Sequence, residues 1–223
     1  MARRVLVATL GFDSRFQMKT LTQLGSGGDI KGISLVIIVR PSTGDKRAEE
    51  AERTLVKFCR EILGVEVLVL KVNVLDPPAA IGSITGALRR IDPDDIVADL
   101  SGGMRLLIME TLAALLAYKR NRSNLRIVLW AEDLSGKVDL DPKIFSLPQV
   151  TESDVKILEV LVRKGSLSLK ELASELSIPR STIHARLRKM VDEGLVSRSR
   201  VDGMVAYTIT QLGLAVYRVE SGG

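Results

Sequence analysis

The chain has 223 residues, of which 46% are hydrophobic and 26% are charged, and its formal net charge is +5. This length suits two domains, and the composition is that of a globular protein. No apolar run reaches the roughly 18–20 residues that cross a bilayer, and no signal-peptide cleavage site follows Met1. We therefore expect a cytoplasmic protein without a membrane partner. Cys59 is the only cysteine, which excludes an internal disulfide and fits a reducing compartment.

The content of amide side chains is low. The chain has three Asn and four Gln among many charged residues. Scarce amides beside abundant charge are typical of thermophile proteins, and we expect that origin here.

The first two thirds of the chain alternate between strand-like and helix-like segments. Short apolar runs are typical of strands buried on both faces, and segments of helical length separate them. This alternation predicts βαβ units and an α/β fold, a Rossmann-like doubly wound parallel sheet. Strands are predicted over residues 5–9, 33–39, 65–72, 96–100 and 125–130, a short edge strand or hairpin over 138–140, and helices over 14–24, 46–63, 77–91 and 104–120.

The pattern changes around Pro148, so we expect one domain over residues 1–147 and a second over 148–223. In the second domain, Thr151 and Asp154 predict the N-terminal cap of a first helix. Further helices are predicted over residues 169–176, 180–193 and 211–219. Asp202-Gly203 separates two alternating segments, 195–200 and 204–209, and Asp-Gly in that setting is a strong hairpin signal.

Three helices followed by a basic hairpin define a winged helix-turn-helix, and such domains read DNA with the second helix of the motif. The segment "LSLKELASELSIPRSTIHARLRKMVDEGLV" resembles the MarR- and ArsR-like winged-helix regulators. Residues 180–200 hold six basic and two acidic residues, so positive charge concentrates where duplex DNA would lie. The alternative is a winged helix that binds protein and carries a merely solvated basic face.

The exposed positions of the recognition helix and of the wing are the predicted DNA contacts. Ser181, Thr182 and His184 are expected to read bases, although His184 could equally be an exposed residue with no special role. Arg186 is expected at bases or phosphates, and the later basic residues at phosphates. The complete set is Arg180, Ser181, Thr182, His184, Arg186, Arg188, Lys189, Arg198 and Arg200.

Two unusual loops leave the first and fourth predicted strands. In the common strand order 3-2-1-4-5 these strands are neighbours, and ligands bind at their carboxyl ends, where the strand order reverses. Ser101-Gly102-Gly103 opens a helix, whose free N–H groups and dipole favour an anion, and Arg105 adds positive charge. The alternative is that Gly102-Gly103 is only a tight turn. Ser14 or Arg15 could face this site from the other loop.

Other chemistry has less support in the first domain. No G-x-G-x-x-G follows the first strand and no Walker lysine pattern exists, which disfavours NAD and excludes P-loop ATP hydrolysis. The only histidine of the chain is His184, so catalysis by a histidine within this domain is excluded. Cys59 is expected to pack in a helix, and the Gly25–Gly28 stretch to be a mobile loop. A metal could be held by Asp13, Asp99 and the Asp92–Asp95 cluster. That cluster is more simply interpreted as a turn before a strand. We therefore expect no metal site and no catalytic residue.

The two loops, "VLVATLGFDSR" and "DIVADLSGGMRLL", resemble the CARF family, the CRISPR-associated Rossmann-fold domains joined to a winged helix in archaeal transcriptional regulators. The second loop matches the family's Asp-x-Ser/Thr-Gly-Gly-x-Arg/Lys motif, and the resemblance covers the whole chain. It implies that a homodimer binds a cyclic oligoadenylate, typically the tetra-adenylate ring. The residues implied to bind it are Leu10, Gly11, Phe12, Ser14, Ser101, Gly102, Gly103, Met104 and Arg105.

The leading hypothesis is a ligand-gated transcription factor of a CRISPR system. A cyclic tetranucleotide and a two-fold dimer share symmetry, and a dimer also suits two half-sites on palindromic DNA. Ring binding would change the placement of the two winged helices and so the affinity for DNA. Two alternatives remain: an enzyme that cleaves the ring, using Ser14 or Arg105, and a DNA-binding assembly factor whose first domain only dimerises.

Overall fold

A computed structural model describes residues 3–26, 32–119, 124–201 and 203–222. The chain divides into two compact units, Met1–Pro142 and Lys143–Gly223. A single turn of 3-10 helix, Pro142–Phe145, lies at the division. Ile144 and Leu147 pack against the core of the second unit, which places the division a few residues before the expected limit at residue 147.

The first unit is built on one mostly parallel sheet. Its strands are β1 (Arg4–Thr9), β2 (Ile33–Pro41), β3 (Glu66–Val72), β4 (Asp95–Asp99), β5 (Asn124–Trp130) and β6 (Lys137–Leu140). Their order is β3-β2-β1-β4-β5-β6. All neighbouring pairs are parallel except β5 and β6, which are antiparallel. The doubly wound sheet and the predicted order 3-2-1-4-5 are confirmed, and residues 137–140 form the antiparallel edge strand.

Helices cover both faces of this sheet. They are α1 (Arg15–Ser26), α2 (Lys46–Lys57), α3 (Pro77–Ile91) and α4 (Arg105–Lys119). Residues of α1 and α2, such as Leu21 and Leu55, share one hydrophobic core, whereas Ile84 of α3 and Leu107 of α4 belong to the other. β1 therefore leads into a helix on one face, and its neighbour β4 leads into a helix on the opposite face.

Two helix ends differ from the prediction. The second helix was expected to continue to residue 63, but α2 ends at Lys57 and a π-helical turn, Phe58–Ile62, follows it. The wider turn closes with the Leu63 N–H donating to the Phe58 carbonyl at 3.2 Å, and Cys59 is buried in the core as expected. α1 extends to Ser26, and the rest of the glycine-rich stretch lies outside the described residues.

The second unit contains α5 (Glu152–Lys164), β7 (Leu167–Ser168), α6 (Leu169–Leu176), α7 (Arg180–Glu193), β8 (Val196–Val201), β9 (Met204–Ile209) and α8 (Gln211–Ser221). The capping box of Thr151 and Asp154 is confirmed, and Ser168 with Glu171 forms a second one. The strands form a small sheet in the order β7-β9-β8. β7 was not predicted, because two residues carry no periodicity.

The predicted winged helix is confirmed by its packing. Leu172 of α6 and Ile183, Leu187 and Met190 of α7 are buried in one core, as their spacing indicates. β8 and β9 pair up to Val201 and Met204, which leaves a two-residue hairpin loop. Gly203 in that loop has φ +77°, a backbone conformation that suits glycine; Asp202 lies outside the described residues.

No helix in the described ranges combines the length and the apolar character that crossing a membrane requires.

Candidate ligand loops and nucleic-acid interface

The loops that follow β1 and β4 meet at one edge of the sheet. β1 and β4 are paired in parallel, Ala8 beside Asp99, so both chains leave at the same edge. A Cβ atom added to Gly11 would lie 2.9 Å from the Cα atom of Gly103, so the two loops touch through their backbones. The expected proximity of these two loops is confirmed.

The glycines of these loops have a packing reason. A Cβ atom on Gly102 would lie 2.5 Å from Nε2 of Gln17, and Gly103 has φ +104°, a conformation that strains other residues. From the sequence, Gly102 and Gly103 were expected to allow the close approach of a ligand or to form a tight turn. The close approach of Gln17 at position 102 and the backbone conformation at position 103 thus favour glycine without a ligand.

Two buried polar side chains brace the loops, and neither was predicted from the sequence as a functional residue. Thr9 Oγ1 donates to the carbonyl of Gly102 at 2.5 Å, and Gln17 Nε2 donates to the carbonyl of Thr9 at 2.7 Å. Both residues are 0% exposed. The available signal was their polarity: Thr9 ends an apolar strand, and Gln17 lies on the helix face that packs against the sheet.

Asp99 organises the β4 loop from inside the protein. This carboxylate is 0% exposed and accepts from the Thr20 hydroxyl at 2.5 Å and from the backbone N–H of Ser101 at 3.0 Å. Burial raises the pKa of Asp99, and its hydrogen bonds with Ser101 and Thr20 oppose that rise. Trp130 extends the network by donating its indole N–H to Thr20 and its backbone N–H to the Ser101 hydroxyl. Asp99 therefore positions the loop.

The predicted ligand residues differ in their exposure. Phe12 and Met104 are 57% and 46% exposed, and Arg105 is also exposed. Leu10 and Gly102 are buried, and so is Ser14, whose hydroxyl donates to Met18 Sδ at 3.7 Å. Partly exposed positions complete the set: Gly11, Ser101 and Gly103.

The N-terminus of α4 favours an anion. Its first turn contains no acidic residue and begins with the exposed Arg105. The helix dipole and the unpaired N–H groups of a first turn attract negative charge. Arg15, the other predicted cation, instead pairs with Asp13 at 2.6 Å, so Arg105 is the better candidate for an anion contact.

Within the described ranges, no three His, Cys, Asp or Glu side chains lie close enough together to hold a metal ion. The carboxylates considered in the sequence have other partners or positions. Asp92 ends α3 in a left-handed conformation, and Asp94 accepts from the backbone N–H of Arg3 at 2.6 Å. Residues 92–94 therefore form the connection expected before the strand, and Asp95 is already the first residue of β4.

Most of the predicted DNA contacts are exposed on the second unit. On α7 these are Arg180, Ser181, Thr182, His184, Arg188 and Lys189, and on β8 they are Arg198 and Arg200. The two β8 arginines are separated by one residue and therefore point to the same face of the strand. Lys189 lies 3.6 Å from Glu193 in an exposed pair.

Arg186 differs from the other predicted contacts. Its side chain is 32% exposed, and Nη1 donates to Asp154 Oδ1 at 2.9 Å and to Thr151 Oγ1 at 3.0 Å. From the sequence we expected Arg186 to contact bases or phosphates of DNA, and that contact stays a prediction. The structure adds a role inside the domain, in which Arg186 joins α7 to the capping box of α5.

Solved structures resemble the chain at low identity. A MarR family protein from Bacillus stearothermophilus is 23% identical over 35% of this chain and 58% of its own, with a TM-score of 0.32. The oxidised form of MarR from E. coli is 22% identical over 36% and 59%, with a TM-score of 0.33. This chain thus spans little more than half the length of these MarR proteins. Can2 from Sulfobacillus thermosulfidooxidans in complex with cyclic tetra-adenylate is 8% identical over 98% and 62%, with a TM-score of 0.43.

Family models give the assignment. No curated protein matches the sequence. A model of winged helix-turn-helix DNA-binding domains matches residues 151–197. The model of the Csa3 CRISPR-associated Rossmann-like domain matches residues 4–141, which is more than half of the chain. Since the sheet, the paired loops and the following winged helix all agree with these two models, the chain belongs to the Csa3 CRISPR-associated Rossmann-like family.

Proposed function

We propose that this protein is a ligand-gated transcriptional regulator of a CRISPR system. Its winged helix binds duplex DNA, and its Rossmann-like domain binds a cyclic oligoadenylate, the tetra-adenylate ring, between two copies of the chain. Binding of the ring changes the affinity for DNA, and DNA changes the affinity for the ring by the same factor. The proposal places the protein in the compartment that holds the DNA, the cytoplasm.

The observation that carries the ligand proposal is the contact between Gly11 and Gly103. It joins the β1 loop to the N-terminus of α4, where backbone N–H groups, the helix dipole and Arg105 favour a phosphate. A ring of four nucleotides has two-fold symmetry, so a second copy of the chain supplies the matching pair of loops.

The outer face of α4 supports a homodimer. Leu106 and Met109 are 47% and 62% exposed, and Ala113 and Ala117 extend the same apolar stripe along the helix. A residue three or four places along a helix lies on the same face, so these side chains form one exposed surface. Exposed apolar stripes of this kind mark association sites, and this one starts beside the anion-binding loop.

The DNA part of the proposal rests on exposed cations. Arg180, Arg188, Arg198 and Arg200 are exposed on the recognition helix and on the wing. None of them forms an ion pair with an acidic residue in the parts of the chain that the structure describes. Phosphate contacts need charges that are not already compensated, and these four arginines meet that condition.

Calorimetry with cyclic tetra-adenylate tests the ligand part. The wild type should bind the ring, and Arg105→Ala should weaken binding about tenfold because a charge-assisted contact is lost. The matched control is Arg60→Ala, an exposed arginine in the π-helical turn after α2. Sedimentation should give a dimer, and chromatography should recover an intact ring. Absence of heat with cyclic oligonucleotides would refute the ligand part, and a ring opened during incubation would indicate an enzyme.

A gel shift with promoter DNA, with and without the ring, tests the gating. The proposal requires a different apparent affinity in the two titrations. Equal affinities would leave a DNA-binding protein that the ring does not regulate.

A further inference from the structure

A small polar cavity lies beside the β1 loop, on the α2 side of the sheet. Its volume is about 280 Å³, and it is lined by Phe12 and Ser14 of the loop and by Arg47, Glu50 and Thr54 of α2. Arg47, Glu50 and Thr54 follow each other at intervals of three and four residues, so they occupy one face of the helix. The buried Ala51 lies between them in the lining. Neither the sequence motif nor the family resemblance assigned these three α2 residues.

The cavity offers a stacking surface. The guanidinium carbon of Arg47 lies 5.0 Å from the centre of the Phe12 ring, and Phe12 is 57% exposed. Cations attract the faces of aromatic rings, so this pair holds two planar groups together in the lining of the cavity. Nucleobases bind to such planar surfaces by stacking on aromatic rings and on arginine.

The charges in the cavity nearly cancel. Arg15 donates two hydrogen bonds to Asp13, from Nε at 2.7 Å and from the backbone N–H at 2.9 Å, and the side-chain bond holds the pKa of Asp13 below its usual value. Arg47 and Glu50 then remain as one positive and one negative group. A phosphate gains little from this neutral surface, whereas an uncharged planar base with hydrogen-bonding edges suits it.

The cavity adjoins the proposed phosphate site. Phe12 directly follows Gly11, which touches Gly103 in the β4 loop. A ligand whose phosphate lies at the α4 N-terminus can therefore extend its base towards Phe12. The volume is slightly below the 300–1,000 Å³ range of drug-sized pockets, so the cavity accepts a part of the ligand rather than the whole ring.

We infer that this cavity is a base-reading pocket of the proposed ligand site, in which the base stacks on Phe12 and Arg47 and its exocyclic amino group donates to Glu50. The inference rests on the proposed function and names the group that selects the base. Carboxylates accept hydrogen bonds from amino groups of bases, and Asp13 is engaged by Arg15, so Glu50 is the acceptor. The pocket thus favours adenine over the same base without its amino group.

Calorimetry with two rings tests the pocket. One ring is cyclic tetra-adenylate, and the other has the same backbone with purine bases that lack the amino group. The wild type should prefer the adenine ring, and Glu50→Ala should bind the two rings equally. Arg47→Ala and Phe12→Ala should each weaken both rings about tenfold, because a stacking surface is lost.

The control is Glu49→Ala, which removes the same charge from the neighbouring position of α2 and should keep the wild-type preference. A thermal melt of every variant checks folding. If Glu50→Ala keeps the preference while Arg105→Ala still loses affinity, the pocket assignment is overturned and the proposed function stands. If the wild type binds neither ring, both are overturned.

Discussion

Arg186 on the recognition helix forms an ion pair with Asp154, the third residue of α5, with 2.9 Å between Nη1 and Oδ1. The same carboxylate accepts from the backbone N–H and the hydroxyl of Thr151, so one buried group serves the helix cap and the contact between two helices. Burial tends to raise the pKa of Asp154, but the hydrogen bonds from Thr151 and Arg186 lower it overall. Arg186 thus contributes to folding as well as to the surface charge.

Arg186→Ala should lower the free energy of unfolding by about 1 kcal/mol, the order of a lost helix-cap interaction. The pKa of Asp154 is lowered in the folded state, so Asp154 contributes to the free energy of unfolding at pH values above its ordinary pKa of 3.8. This contribution is lost as the pH falls through the pKa of the folded state. Urea denaturation at pH 7 and near pH 3 measures this, and the loss should shrink at the lower pH. Arg188→Ala is the control and should leave stability unchanged at both pH values.

Arg188→Ala and Arg200→Ala should weaken binding to duplex DNA. Each neutralised phosphate contributes about 0.9 to the slope of log K against log salt, so each variant should make that slope shallower by about one unit. Fluorescence anisotropy at several salt concentrations measures it, with Arg60→Ala as the control. Unchanged slopes in both variants would remove these residues from the interface.

Gly11→Ala should separate the β1 and β4 loops. The new Cβ atom would meet the backbone of Gly103 at 2.9 Å, and backbone cannot move aside as a flexible side chain can. We expect a loss of about 1–3 kcal/mol in stability, typical of overpacking, and weaker binding of the ring. Gly136→Ala has nothing within 4 Å of its added Cβ atom and should be neutral. Equal melting temperatures of the two variants would contradict the loop contact.

Glu110→Gln should change how stability depends on pH. Glu110 is 4% exposed, and neither carboxylate oxygen has a hydrogen-bond partner among the described residues. Burial, aided by the charge of Asp76, raises the pKa of Glu110. The contribution of Glu110 to the free energy of unfolding is therefore complete at pH values below its ordinary pKa of 4.5. This contribution is lost as the pH rises through the pKa of the folded state.

The stability of the wild type relative to Glu110→Gln should fall as the pH rises above about 4.5. Urea denaturation between pH 4 and pH 8 measures the difference. Glu49→Gln, at an exposed position, serves as the control. Parallel profiles for the wild type and Glu110→Gln would contradict the raised pKa.

Cys59 should resist thiol reagents in the native protein. Burial raises the pKa of its thiol to about 11, so little thiolate exists at pH 8, and the thiolate is the reactive form. Labelling with a disulfide reagent should occur only after denaturation. Arg60→Cys places a second thiol at an exposed position and should react at once in the native state. Rapid labelling of the wild type would indicate that the π-helical turn opens.

Local patterns were sufficient for most of the fold. Apolar runs, helix caps, the turn after α6 and the Asp-Gly hairpin each act over a few residues, and the strand order followed from the common doubly wound arrangement. The loop motif "DLSGGMR" also indicated the family, which the match to the family model then confirmed. The end of α2 and the short β7 were missed, because the π-helical turn and the two-residue strand depend on packing.

The sequence by itself determined the two domains, the parallel sheet, the winged helix and the two loops that carry the family motif, because those features follow from periodicity, caps and turns between near neighbours. Only the tertiary structure decided that Gly11 must be glycine beside Gly103, that Arg186 pairs with Asp154, and that Arg47 and Glu50 share a cavity with Phe12. Each of these contacts joins residues that are more than 30 positions apart in the chain. Local sequence patterns extend over only a few residues, so they do not predict such contacts.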